Sequence, residues 1–421
     1  MATPADTEAR ALAAIDADGL VACLRELIAI RSLGGEEDAA QAFVADRIAR
    51  EGLRVDRWRF PIDPLRAHPH FSMEVERTAG EGVVGTLPGK GGGRSLILNG
   101  HVDVVPVGDE GNWTVLPWQG TVRDGRVYGR GAVDMKGGLV CALFAAKALV
   151  ESGVTLRGDL LIESVIGEED GGVGTLATSL RGYRADGAIV LEPTELVVAP
   201  AQAGALCFRI TVDGMSAHAC VREEGVSALE KFLPVQRALT DLEARRNQAV
   251  RDPMFSRYRL PFALNLGRVQ AGEWPSSVPE RLAVEGRYGI AVGEPVAAAR
   301  AAFEDAIRSA AASDPWLRDH PPRVEWWGGQ FDSASTPVDD PVVTSLVSAV
   351  ETVLGAAARL EGMTYGSDMR LLVHVARTPT VLFGPGDVRR SHRPDESVAI
   401  DDLVAATRAI VVAAIRFCGE A

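Results

Sequence analysis

The stretch that decides the fold is Leu96-Ile97-Leu98-Asn99-Gly100-His101-Val102-Asp103. An apolar run that ends in a histidine and a carboxylate is typical of a buried strand that opens onto a site at its carboxyl end. Because side chains two positions apart in an extended segment point the same way, His101 and Asp103 are expected to lie together. The carboxylate could then accept the second imidazole N–H and fix the tautomer that binds a metal. A loop histidine beside a surface aspartate is the alternative interpretation.

Further metal-type side chains follow other apolar segments or glycine-rich turns. They are Asp134, Glu168, Glu169, Glu192 and His392. Each has an ordinary explanation when taken alone, such as a helix N-cap for Asp134 or a solvated acidic loop for the Glu168-Glu169 pair. Taken together, two histidines and several carboxylates at strand ends indicate a hydrolytic site with two metal ions.

The spacing of apolar residues predicts the architecture of most of the chain. Helices are predicted over 16–30, 36–53 and 137–152, and strands over 53–60, 95–98, 159–166 and 188–191. Buried strands that alternate with helices are typical of the α/β class. We therefore expect a catalytic domain with a mostly parallel sheet flanked by helices.

The pattern changes near residue 203, where a different domain is predicted. It has strands over 206–212, 282–290 and 323–327 and helices over 226–246 and 294–312. These ranges supply three strands and both helices of a β-α-β-β-α-β order, and we therefore expect an inserted α+β domain of ferredoxin-like type. The first pattern then resumes with a helix over 341–354, a strand over 378–383 and a helix over 400–418. The expected division is a catalytic domain of 1–202 and 332–421 and a lid and dimerisation domain of 203–331.

Composition limits the classes of function. A length of 421 residues favours two domains, and a net charge of −13 argues against nucleic acid as a partner. The chain has no apolar run of the ~18 residues that a membrane span requires, and no basic start followed by an apolar segment, so we expect a cytoplasmic protein without a membrane partner. Five scattered cysteines without a Cys-x-x-Cys pair argue against a disulfide framework and a thiolate zinc site.

From about residue 20 to its C-terminus the chain resembles the M20 metallopeptidase family, which includes acetylornithine deacetylase, succinyl-diaminopimelate desuccinylase, aminoacylases and carboxypeptidase G2-type enzymes. The motifs that carry this resemblance occur in family order. They are Gly-His-Val-Asp-Val-Val-Pro from Gly100, Asp-Met-Lys-Gly-Gly from Asp134, Glu-Glu-Asp from Glu168, Glu-Pro-Thr from Glu192, Ser-Ala-His from Ser216 and Phe-Gly-Pro-Gly-Asp from Phe383.

The resemblance implies two zinc ions per subunit, with cobalt or manganese as alternatives. One ion would be held by His101, Asp134 and Glu192, and the other by Asp134, Glu169 and His392. It also implies that Asp103 orients His101 and that Glu168 is the general base for the attacking water.

The resemblance further implies residues that contact the substrate, most of them in the inserted domain. His218 would stabilise the oxyanion, either in its own subunit or in the partner of a homodimer formed through the lid. Arg287 matches a position that binds a substrate carboxylate, and Asn265 and Gly366 are further pocket candidates. Ser276 departs from relatives that carry asparagine there, which puts that substrate contact in doubt.

The function expected from these residues is hydrolysis of the amide bond in an N-acyl amino acid or similar small amide. A metallo-exopeptidase of dipeptidase or carboxypeptidase G2-like type is the alternative. A third class is a non-catalytic binding protein on the same fold. Retention of the base Glu168 and of all five metal ligands favours an enzyme.

Overall fold

The computed structural model describes residues 4–421, whose contacts divide into two compact units. The first unit comprises the chain up to Ala201 together with Ser335–Glu361 and Ser367–Ala421. The second comprises Gln202–Ala334 and the five residues Gly362–Gly366. The sequence places the two main boundaries at 202/203 and 331/332, close to these positions. It does not indicate that the chain returns briefly to the second unit at residues 362–366.

The helices and strands are numbered in chain order. The helices are α1 (Pro4–Ala13), α2 (Ala17–Ala29), α3 (Asp38–Arg50), α4 (Lys136–Glu151), α5 (Val173–Arg181), α6 (Ala228–Gln248), α7 (Val296–Ala312), α8 (Pro315–Asp319), α9 (Pro341–Leu354), α10 (Met369–Leu371) and α11 (Ile400–Cys418). The strands are β1 (Arg54–Pro61), β2 (Ala79–Leu87), β3 (Leu96–His101), β4 (Thr121–Arg123), β5 (Arg126–Tyr128), β6 (Leu160–Val165), β7 (Gly187–Val190), β8 (Val198–Gln202), β9 (Gly204–Asp213), β10 (Leu264–Ala271), β11 (Arg281–Ile290), β12 (Arg323–Phe331), β13 (Ala334–Ser335), β14 (Leu360–Met363), β15 (Thr380–Leu382) and β16 (Ser397–Ala399). Within residues 4–421, no helix combines the length and the apolarity that a bilayer crossing demands.

The main sheet has the strand order β1-β2-β6-β3-β7-β15-β8-β13, with β14 beside β8. Its four central strands, β6, β3, β7 and β15, are parallel, whereas the pairs β1–β2, β2–β6 and β15–β8 are antiparallel. Every residue of β3, β6 and β7 is buried, which explains why these strands appear as continuous apolar runs. The predicted α/β fold with a mostly parallel sheet is confirmed.

Helix α4 is buried on nearly all sides and packs against α2, α11 and β3. Gly138 allows the start of this helix to approach the end of β7. A Cβ at position 138 would lie only 2.0 Å from the main-chain oxygen of Leu191. This approach brings the turn before α4, with Asp134, towards the residues that follow β7.

The second unit has the chain order β9-α6-β10-β11-α7-β12 and an antiparallel sheet ordered β10-β11-β9-β12. Numbered within the unit, this sheet order is 4-1-3-2, with β12 as strand 4. Its core is formed by apolar side chains from α6, α7 and one face of the sheet, including Phe208, Phe232, Tyr288 and Phe303. The β-α-β-β-α-β order agrees with the prediction of a ferredoxin-like insertion.

The segment Gly362–Gly366 is packed closely within the second unit. A Cβ at Gly362 would lie 2.4 Å from Cζ of Phe255, and one at Gly366 would lie 2.6 Å from Cβ of Phe331. Between these two glycines, the main-chain oxygen of Thr364 accepts a hydrogen bond from Arg287 Nη2 at 3.3 Å. The five residues therefore belong to the second unit by contact, although the chain on either side belongs to the first.

Candidate active site and metal centre

The proposed metal ligands lie at one edge of the main sheet. His101 is the last residue of β3, the Glu168-Glu169 pair follows β6, and Glu192 follows β7. Because these strands are parallel and adjacent, their carboxyl ends meet at the same edge. Asp134 comes from the turn before α4, and His392 comes from the segment between β15 and β16.

Asp134 lies between the two histidines. Its Oδ1 is 3.4 Å from His101 Nε2, and its Oδ2 is 3.4 Å from His392 Nε2. The Oε2 atom of Glu169 is 3.1 Å from the same His392 nitrogen. A carboxylate whose two oxygens face different imidazoles is arranged to bridge two cations.

Two groups of donor atoms lie close enough together to hold an ion. In each group the atoms are all within 4.8 Å of one another, and the groups are His101, Asp134 and Glu169, and His101, Glu168 and Glu192. These groups differ in part from the ligand sets that the family resemblance implies. The group that contains Glu192 also contains Glu168, which the resemblance makes the general base. Glu168 Oε2 and Glu192 Oε1 lie 3.9 and 4.0 Å from His101 Nε2.

The contacts of His101 fix its tautomer. Its Nδ1 lies 2.9 Å from the main-chain oxygen of Asp103 and 3.5 Å from the Asp103 carboxylate, so the main-chain oxygen is the nearer acceptor. The sequence predicts the carboxylate in this role, since spacing cannot distinguish the two oxygens. With a hydrogen on Nδ1, Nε2 is the nitrogen that faces the acids and that could bind a cation once deprotonated. Within residues 4–421, this buried nitrogen has no hydrogen-bond partner, which fits a cation-binding position.

The acids of the cluster strongly perturb one another. Burial and the neighbouring carboxylate of Glu192 raise the pKa of Glu168 well above its ordinary value. Burial opposes protonation of His392, but the carboxylates of Glu169 and Asp134 raise its pKa to about 11. Without a cation the site therefore retains protons, and divalent ions would release them on binding.

A buried acid that sequence analysis does not identify, Glu396, supports Asp134. Its Oε1 accepts hydrogen bonds from the main-chain N–H groups of Val133 and Asp134 at 3.1 and 3.2 Å, and its Oε2 pairs with Arg130. Glu396 follows His392 by four residues, so one segment supplies a ligand candidate and the acid that holds the main chain at Asp134. The only sequence signal is its place beside that histidine.

The loop that carries Glu168 and Glu169 is also fixed by buried charges. Asp170 Oδ1 accepts a hydrogen bond from Arg77 Nη1 at 2.9 Å, and the second guanidinium nitrogen of Arg77 donates to Glu37 at 3.0 Å. All three side chains are buried. Sequence analysis does not single out Arg77 or Glu37, whose partners are distant along the chain.

Asn265 and Arg287, two substrate-site candidates of the second unit, are neighbours on its sheet. Asn265 on β10 is the cross-strand partner of Arg287 on β11, and Arg287 faces Cys207 of β9 in turn. Burial lowers the pKa of Arg287, whose side chain donates to Thr364, two residues before Gly366.

His218 lies in the segment after β9 and is exposed. Its Nδ1 accepts a hydrogen bond from the main-chain N–H of Cys220 at 3.2 Å. In a neutral ring the hydrogen is therefore on Nε2, which leaves a donor free to reach a ligand.

Comparison with known proteins gives consistent matches. The model of peptidase family M20/M25/M40 matches residues 97–416. The chain is 29% identical over 404 residues to N-formyl-4-amino-5-aminomethyl-2-methylpyrimidine deformylase from Bacillus subtilis, covering 91% of this chain and 90% of the relative. It is 30% identical over 387 residues to acetylornithine deacetylase from Myxococcus xanthus, covering 91% and 92%. The crystal structure of human carnosine dipeptidase 1 has the same fold, with a TM-score of 0.76 at 16% identity and 98% coverage of both chains.

Proposed function

Because the chain belongs to peptidase family M20/M25/M40, we propose that it is a metal-dependent deacylase that cleaves the amide bond of an N-acyl amino acid or a similar small amide. Proteins of this family hydrolyse amide bonds and use divalent metals. Two relatives that span about nine-tenths of the chain remove a formyl or an acetyl group from a small molecule. The observation that carries the proposal is the position of Asp134 between His101 and His392.

We assign two zinc ions to the site, one to His101, Asp134 and Glu192 and one to Asp134, Glu169 and His392. Imidazole and carboxylate are ordinary zinc ligands, although cobalt and manganese accept the same donors. When bound, the cations would polarise the scissile carbonyl and lower the pKa of a water molecule to about 7. The main-chain oxygen of Asp103 would keep His101 in the ligating tautomer.

Glu168 is the proposed general base. It would accept a proton from the attacking water and pass that proton to the leaving amine, so that it ends each turnover ionised. Burial and Glu192 favour the protonated form of Glu168 in the metal-free cluster, whereas bound cations would favour its ionised form, which is the form that can accept a proton. The Asp103 carboxylate accepts a hydrogen bond from the N–H of Glu169, and the carboxylate of Asp170, the next residue, accepts one from the N–H of Val75.

The second unit would supply the remaining groups as a lid. His218 would donate its Nε2 hydrogen to the developing oxyanion, and Arg287 would bind a substrate carboxylate beside the pocket candidates Asn265 and Gly366. We also propose a homodimer formed through this unit, in which His218 acts either within its own subunit or in the partner.

A second candidate is removal of a formyl group from an aminomethylpyrimidine. The supporting observation is the similarity to the Bacillus subtilis deformylase over nine-tenths of both chains. The substrate named for that deformylase has no carboxylate group, so this candidate would not require Arg287 as an anion-binding group.

The test is a panel of amides offered to the purified, metal-loaded protein. The panel contains N-formyl, N-acetyl and N-succinyl amino acids, N-formyl-4-amino-5-aminomethyl-2-methylpyrimidine, and dipeptides. We expect hydrolysis of the acylated compounds, two metal ions per chain by elemental analysis, and loss of activity with a chelator that added zinc restores. Faster cleavage of dipeptides would support an exopeptidase instead, and metal-free protein with full activity would refute the metal mechanism.

A further inference from the structure

Trp274 is the feature of the second unit that the proposed function leaves unexplained. It lies in the turn between β10 and β11, and the residue is 70% exposed, more than any other large apolar residue in the described part of the chain. An indole carries a large apolar surface, so leaving it in water forgoes the stabilisation that burial would give. An exposed tryptophan in an ordered turn therefore suggests a binding role.

The turn that carries Trp274 is fixed to the segment containing His218. The N–H of Ala219 donates to Ser276 O at 2.9 Å, and the N–H of Val278 donates to Ala217 O at 2.9 Å. The N–H of Ser277 closes the turn by donating to Trp274 O at 3.1 Å. A group that is joined to His218 through main-chain hydrogen bonds must move with it.

A groove of about 930 Å³ adjoins this turn within the second unit. Its wall includes Trp274 and Ser216, the latter two residues before His218, together with apolar side chains such as Val269 and Val278. Two acids, Glu273 and Glu280, also line it, against a single arginine. The groove thus combines a flat aromatic surface with an excess of negative charge.

We propose that Trp274 is a specificity-determining residue that stacks on the amine half of the substrate, and that this half carries a planar aromatic ring, as in the second candidate function. The inference rests on the proposed function, because it needs His218 to act at the reacting amide. If His218 contacts the oxyanion of the reacting amide, the turn that contains Trp274 would lie near the same amide. Glu273 and Glu280 would then favour the positive charge of the departing amine.

The first experiment compares matched amides that differ only in the planarity of one ring. They are the N-formyl and N-acetyl amides of benzylamine and of cyclohexylmethylamine. For Trp274→Ala we expect kcat/KM to fall about two- to twelvefold for the benzyl amides, mainly through KM, and to change little for the cyclohexylmethyl amides. Trp274→Phe should restore most of the loss, and Leu260→Ala, an exposed apolar control in the same unit, should change neither.

A second measurement is independent of catalysis. Saturation-transfer NMR should detect benzylamine bound to the unaltered protein, a weaker signal with Trp274→Ala, and no comparable signal with cyclohexylmethylamine. If the protein hydrolyses no amide, the proposed function fails, while this binding result still decides the role of Trp274.

An interface between subunits is the rival explanation for the exposed indole. In that case Trp274→Ala would reduce the mass found by light scattering and lower activity equally for both ring types. Either that result or equal binding of both amines by the two proteins would overturn the proposal.

Discussion

Oδ2 of Asp103 accepts a hydrogen bond from the main-chain N–H of Glu169 at 3.0 Å. The carboxylate that follows the first histidine motif thus holds the acidic loop after β6. The main-chain oxygen of Asp103 accepts a hydrogen bond from the imidazole of His101. One residue therefore orients two proposed ligands by two different groups.

The first prediction follows from this division. Asp103→Ala keeps the main-chain acceptor for His101 but removes the anchor of Glu169, so we expect zinc affinity to fall about 10- to 100-fold. Competition with a chromophoric chelator measures the change. Asp103→Asn, which retains an acceptor oxygen, should lose less, and an alanine variant with unaltered affinity would contradict this role.

The second prediction separates the base from the ligands. Glu168→Ala should retain two metal ions per chain but lose about 10²- to 10⁴-fold in kcat, because no group remains to accept the water proton. Glu169→Ala is the matched control and should lose metal as well as rate. Near-normal turnover by the Glu168 variant would exclude it as the base.

The third prediction concerns the support of Asp134. Glu396→Ala leaves the buried guanidinium of Arg130 without its carboxylate, which should reduce the free energy of unfolding by about 3–5 kcal/mol. Urea titration of the metal-free protein measures this loss. Glu396→Gln keeps acceptors for the Val133 and Asp134 N–H groups and should be intermediate. Equal stability of the three proteins would show that the pair contributes nothing.

The fourth prediction is a pH dependence of stability. Burial raises the pKa of Glu163 to about 7, from an ordinary value of 4.5, although Asn99 donates a hydrogen bond to it. Between pH 4.5 and about 7, Glu163 retains a proton in the folded chain that it has released in the unfolded chain. Stability therefore falls as the pH rises through this range. Titration of Glu163 should therefore lower the free energy of unfolding by about 3 kcal/mol between pH 4.5 and pH 8.

Glu163→Gln tests this sign, since the amide keeps an acceptor for Asn99 without a titrating proton. Urea midpoints at pH 5 and pH 8 should favour the glutamine variant at the higher pH, while the two proteins should be closer at pH 5. A difference that does not change with pH would exclude titration of Glu163.

The fifth prediction concerns His218. His218→Ala should lower kcat about 10²- to 10³-fold with little change in KM, because an oxyanion donor acts in the transition state. Cys220→Ala is the control, since it keeps the main-chain N–H that Cys220 donates to the imidazole. Equal losses in both variants would indicate a general disturbance of the loop.

The sequence predicts the central strands and their terminal acids well because both signals are local. A buried parallel strand is continuously apolar, and the polar residue that ends it is visible beside it, as at His101 and Glu192. By contrast, β2 is left unassigned by the sequence because its glycines resemble turn residues. They are needed for packing, since a Cβ at Gly82 would lie 2.3 Å from the ring of Trp58 on the paired strand.

Glu396 and Arg77, which support the candidate site, could not be predicted, because their partners are distant along the chain. Glu396 binds a main-chain N–H 262 positions earlier, and Arg77 meets an acid 93 positions later. Periodicity carries no information over such separations. The choice between the two oxygens of Asp103 likewise depends on main-chain geometry rather than on residue type.

The short return of Gly362–Gly366 into the second unit has a consequence for protein engineering. Excision of residues 202–334 would leave these five residues in place but remove the phenyl rings of Phe255 and Phe331 against which the two glycines pack. A trimmed, stand-alone hydrolase would therefore need a redesigned linker at this point as well as at the two main junctions.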